Sequence, residues 1–182
     1  MRSRSSLVLA AVAAVAAASS ALAAGGALSP GRLILQRSDV PAGARRINIA
    51  NVSGTVNISG ATRASLRAVA YRFRNGARAE YVGSVAAVFS TAGAARRAFT
   101  KARTQAAQLG VGSRLRLPSL GDEQFALGYL GNRGASSVVV AVRQNRVIWE
   151  TAVSNAPALS RARAIAETLK YARKQKARVG SG

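Results

Sequence analysis

Apolar positions along this chain change their spacing several times, and each change predicts an element. Ile47-Asn48-Ile49 and Val56-Asn57-Ile58 alternate with period two on either side of Gly54 and predict two short strands. From Val69 the alternation is clearer: Val69, Tyr71 and Phe73 point one way while Arg72 and Arg74 point the other, as in a half-buried strand with its cations in water. Asn75-Gly76 turns the chain into a second strand over 81–90, with Val85, Ala87 and Phe89 on one face. Ser90 or Thr91 can then accept from a free N–H and cap a helix. Ala95, Phe99, Ala102, Ala106 and Leu109 form its apolar stripe, Arg96, Arg97, Lys101, Arg103 and Gln108 turn mostly to solvent, and Gly110 supplies a left-handed cap.

Period two returns at Phe125, Leu127 and Tyr129. After a turn at 131–134, residues 138–143 form a continuous apolar strand, which Gln144-Asn145 reverses into 146–153. In that last strand Val147, Trp149, Thr151 and Val153 share a face opposite Arg146, Ile148 and Glu150. Pro157 opens a final helix with the stripe Ala158, Ala162, Ile165, Leu169 and Ala172, and Arg163 with Glu167 forms an i, i+4 pair on its far side. Strands joined by tight turns imply an antiparallel sheet. The expected fold is therefore α+β, with about five to six strands whose apolar face is covered by two amphipathic helices.

Four short motifs carry a family resemblance: the Asp39-Val40-Pro41-x-Gly43 turn, Val88-Phe89-Ser90 leading into an Ala-rich helix, Gly121-Asp122-Glu123, and Val140-x-Val142-Arg143-x-Asn145. Over roughly residues 30–175 the chain resembles small exported actinobacterial domains similar to the extracellular sensor domains of PknH-type kinases. The resemblance implies a PsbP-like sandwich and a non-catalytic, sensor-like role, and it transfers no binding residue.

Residues 7–18 are an unbroken apolar run behind Arg2 and Arg4, and Ala21-Leu22-Ala23 is an A-x-A cleavage site. This is the pattern of a secretory signal peptide over 1–23. Twelve mostly Ala residues are too few to span a bilayer, which needs about 20, so no transmembrane anchor is expected after cleavage. The mature chain is expected to form a single domain over 30–175 with a basic flexible tail at 176–182, placed in the cell envelope or secreted.

Composition narrows the chemistry. The chain has 182 residues with no Cys and no His, which excludes disulfides, thiolate metal sites, Cys nucleophiles and imidazole catalysis. No cofactor or metal is expected, and an enzyme would have to work without His or Cys. Among the acids only Asp122 and Glu123 are adjacent, and an acid–base or Ser–Lys scheme would need one of them beside a Ser or Lys. Lys and Arg together number 27 against six acids, a formal charge of +21, and two of those charges, Arg2 and Arg4, leave with the leader. The basic residues lack the interleaved aromatics used on single-stranded nucleic acid, and export removes the chain from it. Charge density instead suits an anionic envelope polymer or a lipid surface, and a small ligand is the third partner expected. The candidate anion-binding residues are Arg72 and Arg74, with Arg143 and Arg146.

Overall fold

The computed structural model describes residues 28–47, 54–58, 62–108, 112–130 and 134–180. The expected leader at 1–23, residues 48–49 of the first expected strand, the helix cap at Gly110 and most of the 131–134 turn lie outside them. One antiparallel sheet organises the rest. Its strands are β1 (Arg45–Ile47), β2 (Gly54–Ile58), β3 (Thr62–Asn75), β4 (Arg78–Phe89), β5 (Ser113–Arg114), β6 (Glu123–Leu130), β7 (Ser136–Gln144) and β8 (Val147–Ala156). They lie in the order β1-β3-β4-β8-β7-β6-β5, with β2 pairing a second stretch of β3. The sheet is wider than expected because two-residue β5 is too short for an alternation to show, while β1 overlaps the strand expected at 47–49 only at Ile47.

Helix α1 (Pro30–Leu33) is a single turn, α2 (Ala92–Gln108) connects β4 to the β5–β8 meander, and α3 (Arg161–Gly180) closes the chain. Thr91 caps α2 as its sequence suggests, its hydroxyl accepting from Ala94 N at 3.1 Å.

The two long helices do not share a face. Val69, Tyr71, Phe73, Val82, Ala86, Val140, Trp149 and Val153 pack with Tyr171, Ala172 and Val179 of α3. The alternate residues Leu66, Ala68, Val85, Ala87, Ala141 and Ile148 pack instead with Ala94, Ala95, Ala98 and Phe99 of α2. Because successive strand residues face opposite ways, the helices cover opposite sides of the sheet. This corrects the expectation of a single covered face. Ile148 and Glu150, which sequence alternation turns outward, lie under α2.

The α3 side is also closed by the N-terminal segment. Leu33, Ile34 and Leu35 are buried, Leu35 N donates to Ser84 Oγ at 3.0 Å, and Asp39 accepts from Arg178 Nε at 2.7 Å. That ion pair holds residue 178 within the last turns of α3, so residues 176–180 are helix, with Val179 in the core, where a flexible tail was expected. The helix starts at Arg161, after Pro157, and buries Ala164, Thr168, Tyr171, Ala172, Gln175 and Val179. The expected stripe is rotated from this because two of the buried residues are polar. Gln175 accepts from Thr151 Oγ1 at 2.6 Å and donates to Val85 O at 2.8 Å, which satisfies an amide no hydropathy pattern places inside.

Two of the short motifs meet at the β6–β7 end. Asp122 N donates to Arg143 O, Asn145 N donates to Asp122 Oδ2 at 2.7 Å, and the Arg143 guanidinium reaches Asp122 and Glu123 at 3.1 Å each. Asn145 has φ 52°, a left-handed conformation that Asn tolerates in a tight hairpin. A Cβ on Gly121 would stand 2.5 Å from Val142 Cγ1 and 2.8 Å from Arg143 O, so this clamp closes only over a glycine.

Gly121→Ala should therefore destabilise the protein by about 1–3 kcal/mol through forced backbone movement, read from denaturant unfolding. Gly43→Ala, at a position with nothing within 4 Å, is the control and should change little.

Glu150 yields a second expectation. Its Oε1 is buried with no hydrogen-bond partner among the described residues, and burial pushes its pKa up from 4.5 to about 8. A carboxyl that is harder to ionise in the folded chain leaves stability at its fullest below about pH 4.5. Stability should then fall by up to about 1.4 kcal/mol per unit until pH passes about 8. Glu150→Gln, neutral at every pH, should flatten that slope when melting temperature is followed from pH 5 to about 8.

Candidate functional site

The C-terminal half of α2 leans over β5 and β6 without sealing against them. Between them runs a groove of about 300 Å³ lined by Arg103, Ala106 and Ala107 of the helix and by Gly112, Arg114, Phe125 and Leu127 of the sheet side. The local sequence explains the gap. Past Phe99 the helix presents only Ala102 and Ala106 inward, and alanine side chains are too short to fill the space beneath them.

The floor is rigid. Phe125 packs on the fully buried Phe99 with ring centroids 5.4 Å apart, and Leu127 pairs in register with Arg114 across β5–β6. Gly112, with φ 80°, forms one end. A Cβ there would stand 3.0 Å from Gly128 O and 3.3 Å from the Tyr129 ring, so glycine lets the chain lie flat on that ring. The Tyr129 hydroxyl is buried without a partner among the described residues, and burial followed by the charge of Glu150 raises its pKa.

Charge gives the groove its polarity. The Arg103 and Arg114 side chains are exposed, and neither has an ion pair or hydrogen bond among the described residues. Their guanidiniums flank an apolar floor with no carboxylate among the lining residues. Such an arrangement can hold a carboxylate or phosphate by charge-assisted hydrogen bonds.

The residues singled out from sequence lie elsewhere. Arg72 and Arg74 are exposed on β3, on the α2 side of the sheet but toward its uncovered end, with Arg72 over the Tyr81 ring at 5.5 Å. Arg143 faces the same side from the other end. The registers place it six residues along and three strands across from Arg72, on the order of 20–25 Å away. It is committed to Asp122 and Glu123. Arg146 sits in the β7–β8 turn, where its carbonyl accepts from Phe89 N. The structure thus brings Arg72 and Arg74 together and leaves Arg143 and Arg146 apart from them. Asp122 and Glu123 meet Arg143, Arg96 and Asn145 N rather than a Ser or Lys.

A second polar group lies under α3. Glu80 is 1% exposed and opposite Asn155 in the β4–β8 register. Burial, then the nearby Glu167 carboxylate, raises its pKa. Burial, Glu80 and Glu167 also raise that of Tyr171. Glu167 pairs with Lys170 at 3.6 Å. At the N-terminal segment burial would raise the Asp39 pKa, but Arg178 and the Gln36 N–H hold it below the ordinary carboxylate value. Of these acids Asp39 and Glu167 each pair with a cation. Among the described residues no group of three or more His, Cys, Asp or Glu could hold a metal ion, and no described helix is long and apolar enough to cross a membrane.

Helical periodicity assigns Arg103 to the solvent face of its helix and gives no reason to single out Arg114. The alternation Arg114-Leu115-Arg116-Leu117 is the available signal. Nothing in it shows that β5 ends beneath α2.

No family profile matches the chain, and no curated protein sequence matches it. Among solved structures the chain is similar in fold to the extracellular domain of PknH from Mycobacterium tuberculosis, with a TM-score of 0.56, 11% sequence identity, and coverage of 81% of this chain and 95% of that one.

Proposed function

We propose that this chain is an exported, non-enzymatic, sensor-like binding domain of the bacterial cell envelope, built as a PsbP-like sandwich. The observation that carries this reading is the fold shared with the extracellular domain of PknH over most of both chains. The leader pattern at 1–23 supports the compartment. The groove beside α2, with two uncommitted cations on its rim, supports binding as the activity.

A second reading has its own observation. Arg72 and Arg74 stand exposed on one side of β3, so the same chain can be a structural envelope protein held by charge to an anionic polymer or lipid.

Expressed with its leader in an actinobacterial host, the protein should be recovered from the envelope or the medium, with an intact mass corresponding to a chain beginning at Ala24. Recovery from the cytoplasm with residues 1–23 retained overturns the exported reading. On isolated cell walls, charge-held protein should be released as salt rises from about 50 to about 500 mM, because exposed contacts are screened within a few ångströms at the upper end. The folded variant Arg72→Gln/Arg74→Gln should be retained less well at low salt. Retention indifferent to both salt and substitution removes the charge-held reading.

A further inference from the structure

We propose that the groove between α2 and β5–β6 binds a single-chain anionic amphiphile, its acidic head between Arg103 and Arg114 and its apolar body along Phe125 and Leu127. The inference deepens the reading of the chain as a binding domain and rests on it.

Three observations select this ligand class. Apart from the two arginines and Gly112, which presents only backbone, the lining side chains are apolar: those of Ala106, Ala107, Phe125 and Leu127 offer a ligand body no hydrogen bonds. A purely polar anion would therefore leave that floor in water, whereas an attached chain covers it and gains the transfer energy of the buried area. Among the described residues the two arginines are the only charged ones lining the groove and both are uncommitted, so a neutral chain would leave them without an anionic partner. The volume of about 300 Å³ is at the small end of ligand sites, which suits one chain rather than a polymer or a two-chain lipid.

The architecture also fixes the occupant's orientation. Arg103 is on the helix and Arg114 on the strand facing it, so a carboxylate or phosphate monoester between them can accept from both walls. The chain then lies over Phe125, whose ring is already set by Phe99. Little ordering cost falls on the protein, because the floor belongs to the core and only two side chains must settle.

The test uses purified protein and calorimetric titration with decyl phosphate kept below its micelle concentration, with inorganic phosphate and decanol as head-only and tail-only probes. Decyl phosphate should bind saturably with one site per chain, at least about tenfold more tightly than either fragment. Arg103→Gln and Arg114→Gln should each weaken binding about tenfold. Ala107→Trp, at an exposed helix position, should block the groove and reduce binding without unfolding the protein. Inorganic phosphate binding as tightly as decyl phosphate overturns the proposal in favour of a plain anion site. Decanol binding as tightly overturns it in favour of an apolar cleft. Equal binding by wild type and the folded Arg variants, no saturable binding, or binding seen only with vesicles also overturns it. An exported protein that binds none of the probes sinks this inference alone. A protein that binds as described but stays in the cytoplasm sinks the envelope reading alone.

Discussion

Nine successive residues of β8, from Val147 to Asn155, are buried, so no side chain on that strand has a solvent face to turn to. A strand in this position needs cover on both sides, and the chain supplies it from two directions. Helix α2 crosses one face as the link between β4 and the meander, and α3 returns across the other after the last strand. The N-terminal segment completes the second layer, tied to α3 through Asp39 and Arg178. The same constraint forces polar residues inside, each needing a partner there. Thr151 finds Gln175, and Ser154 donates to Ser137 Oγ at 2.9 Å. Glu150 is buried among apolar neighbours, and its proton affinity rises as a consequence.

This arrangement also determines what the surface becomes. The chain has six acids, and the structure commits all of them internally. Asp39, Asp122 and Glu123 pair with cations of other segments, Glu167 pairs within α3, and Glu80 and Glu150 are buried. Few carboxylates are left to neutralise the surface arginines. The high positive charge of the composition is therefore mostly left unneutralised by carboxylates. At most places that charge is simply solvated. In the groove it is set beside an apolar floor, and there it acquires a specific geometry.

How much of this was legible in the sequence depended on whether one residue type or a pair of distant elements carried the information. The long strands β3, β4, β7 and β8 showed in the alternation of Val69, Tyr71 and Phe73 and in the run from Val138, because period two is local. The Thr91 cap was legible for the same reason. The assignment of helices to opposite faces was not, since Val85 and Val82 are equally apolar and only the crossing of α2 distinguishes their sides. The buried face of α3 is hidden from hydropathy because Thr168 and Gln175 count as polar until their partners are known. Arg143 lies too far from Arg72 to group with it, and the placing of Arg103 and Arg114 on one groove depends on where α2 ends relative to β5, which no local pattern carries.

The fold likeness and the groove bear on function in different ways. Shared architecture at 11% identity says how this chain packs, and it leaves the ligand open, because function resides in the site a fold presents. The groove arises where the Ala-rich helix runs past its large residue, Phe99, and can no longer fill the space against the sheet. A core built with few aromatics saves volume at many positions, and at this one the saving leaves a concavity beside a wide sheet edge. The alanine content that first reads as plain composition thus has a local consequence: it opens a groove where uncommitted cations and an apolar floor meet.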